Sequence, residues 1–176
     1  MCKTKIGPKV IEELNRQLNL ELAAGQSYLA LSLWCDIRNF KGFARYFVKQ
    51  SGEERKHADR ILKHLTDRGE TAELAALPAP KQEFKTLLEV AQQAQAQEHA
   101  NSLGINAVYE AALAAKDYPA QVLMHWFINE QVEEEDWANE MVDRVQAATC
   151  AGGLAYLDRH IERELEAEVR EIEGTK

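Results

Sequence analysis

The chain has 176 residues, 45% of them hydrophobic, which is enough to build one domain around a sizeable core. Its formal charge of -8 and pI near 5.2 argue against a nucleic-acid partner, because such a surface repels phosphate. The same charge favours cations as ligands. We therefore expect a single domain over residues 1–176 that binds cations.

The start of the chain carries lysines and a proline but no apolar run of signal-peptide length, and no later segment approaches a membrane span. We therefore expect a cytoplasmic protein with no membrane partner. Cys2, Cys35 and Cys150 are odd in number and form no Cys-x-x-Cys pair. Neither a disulfide framework nor a rubredoxin-like iron centre is indicated, and Cys35, on an apolar face, is interpreted as a reduced core thiol.

The first half of the chain predicts two long helices, because residues of one face recur at steps of three and four. Pro8 stands where the first helix begins, and the second follows Asn39 and Gly42 and ends near Gly69. The inward stripe of the first helix is Leu14, Leu18, Glu21, Gly25, Tyr28, Ser32 and Cys35. The stripe of the second helix is Phe43, Phe47, Gln50, Glu54, His57, Ile61 and Leu65.

The second half predicts two more long helices and a shorter one. Asp117 and Pro119 open the fourth helix, and Gly152 and Gly153 break the chain before the fifth. The third stripe is Phe84, Leu88, Ala91, Gln95, Glu98, Ser102, Ile105, Tyr109 and Ala112. The fourth stripe is Met124, Phe127, Gln131, Glu134, Ala138, Met141 and Val145. The fifth stripe is Leu154, Leu157, Ile161, Leu165, Val169 and Ile172.

The lengths of the connections predict the topology. The links near residues 40 and 117 are short and demand antiparallel neighbours. The link from Gly69 to Phe84 can reach roughly 50 Å at ~3.3 Å per residue, whereas a helix of about 28 residues spans roughly 42 Å. The second and third helices are therefore expected to be parallel. The predicted fold class is all-α: a four-helix bundle over about 8–149 with one long crossover, plus a short C-terminal helix over about 153–172.

Six residues with metal-binding or polar side chains repeat one spacing. Glu21 is followed 33 positions later by Glu54, which opens a Glu-x-x-His step to His57. Glu98 is followed 33 positions later by Gln131, which opens a Gln-x-x-Glu step to Glu134. A three-residue step puts both side chains on one helix face, and 33 residues is about one helix, a turn and the return. This geometry is typical of a carboxylate-bridged two-metal site inside a bundle.

Acidic residues on a helix are usually a solvated face, and an isolated Glu-x-x-His is common by chance. Here the polar positions interrupt four apolar stripes at one depth, where buried carboxylates without counter-charge cost many kcal/mol. Two ferrous ions would neutralise the four carboxylates, with His57 as the nitrogen ligand and Glu54 placed to bridge. Oxygen ligands plus one imidazole suit iron, with zinc and manganese as competitors.

The runs that surround these residues resemble the ferritins, and in particular bacterial non-haem ferritin, over nearly the whole chain. The matching runs are Asn19-Leu20-Glu21-Leu22, Glu53-Glu54-Arg55-Lys56-His57-Ala58, Asp117-Tyr118-Pro119 and Glu130-Gln131-Val132-Glu133-Glu134-Glu135. Animal ferritins lack a carboxylate where Glu134 stands, which favours the bacterial type.

The resemblance implies a role for each residue of the site. Glu21, Glu54 and His57 would hold the first iron of a ferroxidase centre. Glu54, Glu98 and Glu134 would hold the second, with Gln131 as a nearby group. Tyr28 matches the family's tyrosine beside the centre, where a redox or hydrogen-bonding role competes with ordinary packing.

The same resemblance implies a third iron site and the absence of haem. Glu53, Glu130 and Glu133 match residues that form a third site in bacterial ferritins, the alternative being a solvated acidic face. Bacterioferritins bind haem with a methionine and use a second Glu-x-x-His, but Arg55 and the Gln131-x-x-Glu134 step hold those places here. Haem is therefore not expected.

The function implied is iron storage: oxidation of Fe(II) by oxygen or peroxide, and storage of the ferric mineral in a hollow homo-oligomeric cage of 24 copies. The cage is also favoured by the fifth stripe, because an apolar stripe of that size should not stay exposed on a monomer. The bland alternative is that this helix folds back on its own bundle. Two other functions compete with this one: a non-catalytic cage subunit, which predicts missing ligands, and a di-iron peroxidase or oxygenase, which predicts a rubredoxin-like cysteine set or a reductase partner.

Overall fold

A computed structural model describes residues 5–148 and 150–174, without the side chains of residues 168, 169 and 171–174. Cys2 and the side chains of Val169 and Ile172 therefore lie outside the described part. Within it the chain forms five helices and no strand, as predicted. They are α1 (Pro8–Ile37), α2 (Lys41–Asp67), α3 (Leu87–Ala114), α4 (Tyr118–Ala147) and α5 (Ala151–Gly174). None of the helices in these ranges is both long enough and apolar enough to cross a membrane.

Local signals in the sequence fix most of the helix ends. Pro8 occupies the first turn of α1, where its missing N–H costs nothing. The Thr86 hydroxyl accepts a hydrogen bond from the Glu89 amide at the start of α3, and the Asp117 carboxylate does the same for Ala120 at the start of α4. The chain leaves α2 through Gly69, whose φ of 87° is in the left-handed region that glycine tolerates.

The long crossover is confirmed by the contacts of residues 68–86 along α1. The Asn15 side chain accepts a hydrogen bond from the Glu73 amide, and the Asn19 side chain donates to the Glu73 carbonyl. At the other end of the helix, the Trp34 indole donates to the Phe84 carbonyl. The segment thus follows α1 from one end of the bundle toward the other, which makes α2 and α3 parallel.

The core divides into two hydrophobic clusters, one toward each end of the bundle. The cluster at one end includes Phe43, Phe47 and Met141, and that at the other includes Leu14, Ile61 and Met124. The polar residues of the predicted site lie between the two clusters along the chain. Every residue of the stripe predicted for α2 is buried.

The buried face of α3 differs from the prediction by a rotation of one position. Glu98 and Ile105 are buried as expected. Four other residues of the predicted stripe are only half-buried: Leu88, Gln95, Ser102 and Tyr109. The residue before each of these four is buried instead. The buried neighbours are Leu87, Ala94, Asn101 and Val108. The reason is that α3 packs against α1 as well as α4, so the face toward α1 is also covered. Phe84 is buried, but it lies in the crossover rather than in the helix.

The fifth helix packs against its own bundle, which corrects the premise that its apolar stripe stays exposed. It begins at Ala151, so Gly152 and Gly153 belong to its first turn. Leu157 and Ile161 are buried in the cluster that contains Phe43, because α5 contacts α2 and α4. Over these residues, the fifth helix therefore folds back on its own bundle, which was the alternative to an exposed stripe.

The start of α2 is capped by α5 instead of by its own chain neighbours. Phe40, at the N-cap position, makes no side-chain capping bond. The Phe43 amide instead donates to Asp158 Oδ1 at 3.0 Å. A side chain at Gly42 would overlap the Asp158 carbonyl, so glycine permits this close approach. A carboxylate at a helix N-terminus satisfies free N–H groups and interacts favourably with the helix dipole.

Candidate metal centre

Each helix of the bundle contributes to one buried polar cluster. Glu21 comes from α1, Glu54 and His57 from α2, and Glu98 from α3, and all four are at most 4% exposed. The fourth helix contributes a buried Gln131 and a half-buried Glu134. Glu54 and His57 are three residues apart, which puts both on one face of α2. Gln131 and Glu134 share one face of α4 for the same reason.

His57 lies at the junction of three carboxylates. Its Nδ1 atom is 3.7 Å from Glu21 Oε2 and 3.5 Å from Glu54 Oε2, and its Nε2 atom is 3.8 Å from Glu134 Oε1. One potential ligand atom from each of Glu21, Glu54 and His57 lies within 4.8 Å of the others, a cluster suited to one metal ion. The imidazole also packs edge-on against Trp126, a contact that was not predicted from the sequence.

Glu98 is held on both oxygens by neighbouring helices. The Tyr28 hydroxyl donates to Glu98 Oε1. Gln131 Nε2 donates to Glu98 Oε2 at 2.9 Å and to the Glu98 carbonyl at 3.0 Å. Tyr28 and Gln131, both chosen from the sequence, therefore orient this carboxylate in the structure.

Two further amides were not predicted. Gln17 Nε2 donates to Glu21 Oε1 at 2.8 Å, and Asn101 Nδ2 donates to Glu54 Oε1 at 3.3 Å. Both residues are almost completely buried. The available signal was their position, since Gln17 lies one helical turn before Glu21 and Asn101 lies one turn after Glu98.

Burial raises the pKa of the carboxyl groups in the cluster. The pKa of Glu54 lies well above its usual value because of desolvation and the nearby charge of Glu21. Desolvation also raises the pKa of Glu98, and with the charge of Glu98 it raises the pKa of Glu134 to about 8. Desolvation opposes protonation of His57, but the Glu21 and Glu134 carboxylates outweigh it and raise its pKa.

The cluster has the features that a metal ion would complete. Three buried carboxylate oxygens accept no hydrogen bond from the described residues: Glu21 Oε2, Glu54 Oε2 and Glu134 Oε2. Unpaired buried oxygens are costly, and cations supply the missing partners. Carboxylates plus one imidazole suit a hard to borderline divalent metal, so the residues present fit iron.

The three residues predicted to form a third iron site lie outside this buried cluster. Glu53 is half-buried and its carboxylate pairs with Lys56 at 2.8 Å. Glu130 is half-buried, and Glu133 is exposed. Their assignment stays a prediction.

The sequence comparisons identify the family of the chain. The ferritin family model, described as a ferritin-like domain, matches residues 11–148. The bacterial non-heme ferritin of Staphylococcus haemolyticus is 39% identical over 134 residues, covering 76% of this chain and 81% of that protein. The one from Staphylococcus saprophyticus is 34% identical over 162 residues, covering 92% and 95%. The Escherichia coli protein of the same name is 32% identical over 155 residues, covering 88% and 94%.

Solved ferritin structures have the same fold as this chain. An open-pore ferritin from the hyperthermophilic archaeon Archaeoglobus fulgidus superposes with a TM-score of 0.87 at 28% identity, covering 90% of this chain and 98% of that one. An engineered closed form of the same ferritin gives a TM-score of 0.86 at 29% identity, covering 90% and 97%. The fold, the buried cluster and these comparisons together show that the chain belongs to the ferritin family, with bacterial non-heme ferritins among its relatives.

Proposed function

We propose that the protein stores iron and oxidises it at a two-iron ferroxidase centre in each subunit. The observation that supports this most is the unpaired set of buried oxygens around His57, since four carboxylates at one depth require positive charge that the described side chains do not supply in full. Two ferrous ions would balance the four carboxylates.

The proposed first ion binds Glu21, Glu54 and His57, and the second binds Glu54, Glu98 and Glu134. Glu54 then bridges the two ions, while Gln131 and Tyr28 act through Glu98. Two Fe(II) ions held close together can each give one electron to a single oxidant. Dioxygen taking two electrons and two protons yields hydrogen peroxide, and hydrogen peroxide taking two of each yields two waters. The protein's part is to hold the two ions close together.

Rapid mixing of Fe(II) with the protein in air, at two irons per subunit, tests the ferroxidase assignment. The double variant Glu54→Ala with His57→Ala should lose the fast oxidation phase, because it removes the bridge and the only imidazole of the centre. The control is Glu110→Ala, an exposed carboxylate on α3, which should behave as wild type. Equal fast phases in the double variant and wild type would refute the centre.

The proposal extends to a third ion beside Glu53, Glu130 and Glu133. The half-burial of Glu53 and Glu130 supports it, and a solvated acidic face is the competing interpretation. An anaerobic Fe(II) titration separates the two. A third equivalent should disappear in Glu130→Ala with Glu133→Ala while the first two remain, and a third equivalent that survives those substitutions contradicts the site.

Mineral storage requires an enclosed space, which a single bundle does not provide. We therefore extend the proposal to a hollow homo-oligomer of 24 copies in the cytoplasm, supported by family membership and by the likeness to a ferritin described as open-pored.

A further inference from the structure

The two carboxylates nearest His57 are each held by an amide on one oxygen only. Gln17 donates to Glu21 Oε1 and Asn101 donates to Glu54 Oε1. The other oxygen of each, Oε2, accepts no hydrogen bond from the described residues. Those two oxygens are the ones that approach His57 Nδ1, at 3.7 and 3.5 Å.

A first ion can therefore bind without breaking any of these hydrogen bonds. Its ligand atoms would be Glu21 Oε2, Glu54 Oε2 and His57 Nδ1, which lies 3.7 and 3.5 Å from those two oxygens. The two amides stay on the opposite oxygens and keep both carboxylates turned toward the ion. A donor to the charged form of a carboxylate also favours that form, which is the form that binds metal.

A second ion meets a different situation. If Glu54 bridges through Oε1, the second ion competes with the Asn101 amide for that oxygen. The oxygens of Glu98 are also occupied, one by the Tyr28 hydroxyl and one by Gln131. Among the residues that the structure describes, Glu134 offers the unpaired oxygen on this side. Binding of the second ion therefore costs hydrogen bonds that binding of the first does not.

We propose that Asn101 is a positioning residue that makes the two ions bind in order, by holding the bridging oxygen of Glu54 until the second ion displaces the amide. This inference rests on the proposed two-metal centre. A hydrogen bond to a charged group is worth enough to change an affinity by about tenfold or more. Loss of the amide should therefore weaken binding of the first ion slightly and strengthen binding of the second. The ratio of the two binding affinities should then narrow by about tenfold.

An anaerobic titration with cobalt(II), followed by its visible absorption and by calorimetry, measures the two affinities without any oxidation. The assembled protein is titrated as wild type, Asn101→Leu and Asn101→Ala. Leucine matches asparagine in shape and removes the donor, whereas alanine leaves room and guards against a packing artefact. Asn106→Leu, the same change at an exposed position of α3, is the matched control.

We expect two steps in wild type and in the control, with the second weaker, and a ratio that narrows about tenfold in both Asn101 variants. A variant whose ratio equals that of wild type, or widens, overturns the role of Asn101 while leaving the centre in place. Glu54→Ala identifies the bands of the centre, because it should abolish both steps. If wild type and Glu54→Ala bind cobalt identically, the two-metal centre itself is wrong and the proposal for Asn101 falls with it.

Discussion

At the scale of single residues, the protonation of the buried carboxyl groups couples the metal-free protein to pH. Glu54, Glu98 and Glu134 all have pKa values above the 4.5 of an exposed glutamate, and that of Glu134 is about 8. Between pH 4.5 and the raised pKa values of these groups, the folded protein holds more protons than the unfolded chain. Stability gained by keeping these protons is present below about pH 4.5 and is lost as the pH rises through the folded pKa values.

The metal-free protein should therefore become less stable as the pH rises from about 5 to about 8. The raised pKa of His57 acts in the same direction. Each retained proton contributes up to about 1.4 kcal/mol per pH unit. Thermal unfolding in the presence of a chelator measures the slope. Glu134→Gln should flatten it, whereas Glu110→Gln removes the same charge from an exposed position and should not.

A melting temperature that rises between pH 5.5 and 8 in chelator would contradict this account of the cluster. Added divalent metal gives a second check on the sign. Metal should raise the melting temperature more at pH 8 than at pH 5.5, because at the higher pH it replaces protons that have already been lost.

At the scale of elements, the contact between α2 and α5 depends on a glycine. A methyl group at Gly42 would overlap the Asp158 carbonyl and displace the helix that caps α2. Gly42→Ala should therefore destabilise the protein by about 1–3 kcal/mol, through loss of the cap and of part of the apolar contact. Chemical denaturation measures the change.

Gly52→Ala is the matched control, because Gly52 lies in the interior of the same helix and a methyl group there would contact nothing within 4 Å. It should stabilise the protein by roughly 0.5–1 kcal/mol, the difference in helix propensity. If both substitutions had the same effect, the packing of α5 on its own bundle would not contribute to stability.

Residues whose signal lies within a single helix could be predicted from the sequence, whereas features that depend on helix packing could not. Four-residue and three-residue steps located Glu21, Glu54, His57 and Glu134, because a polar residue in the middle of an apolar stripe is visible in sequence. Asn101 was missed because the buried face of α3 is rotated by one position toward α1, and the stripe chosen there included Ser102 instead. That rotation depends on how helices pack, which a single helix does not encode.

The destination of α5 shows the same limit. Its amphipathic pattern predicted the helix and the residues of its apolar face, but not the surface that covers that face. The cap on α2 comes from Asp158, which is 115 residues away from Phe43 along the chain. Contacts of that separation are decided by the assembled fold.

In the complete subunit, the fold-back of α5 removes its apolar stripe as a reason for assembly. Leu157 and Ile161 are already covered within the subunit, so assembly does not follow from that stripe. The exposed apolar residues of α1 remain, namely Leu29, Leu33 and Ile37 at 46%, 58% and 77%. A subunit that leaves such residues exposed favours association.

Light scattering at neutral pH tests the cage. We expect a species near 24 times the subunit mass of 19.9 kDa. A monomer or dimer as the largest form would exclude a hollow shell and leave a two-metal protein without storage capacity. Dilution and salt should have little effect on a closed shell, since closure leaves no growing end.

Anomalous X-ray scattering from crystals exposed to Fe(II) shows directly whether two irons bind among these particular side chains. We expect two iron peaks in each subunit: one contacting Glu21, Glu54 and His57, and the other contacting Glu54, Glu98 and Glu134. Iron found only at exposed carboxylates, with the oxygens around His57 left without metal, would contradict it.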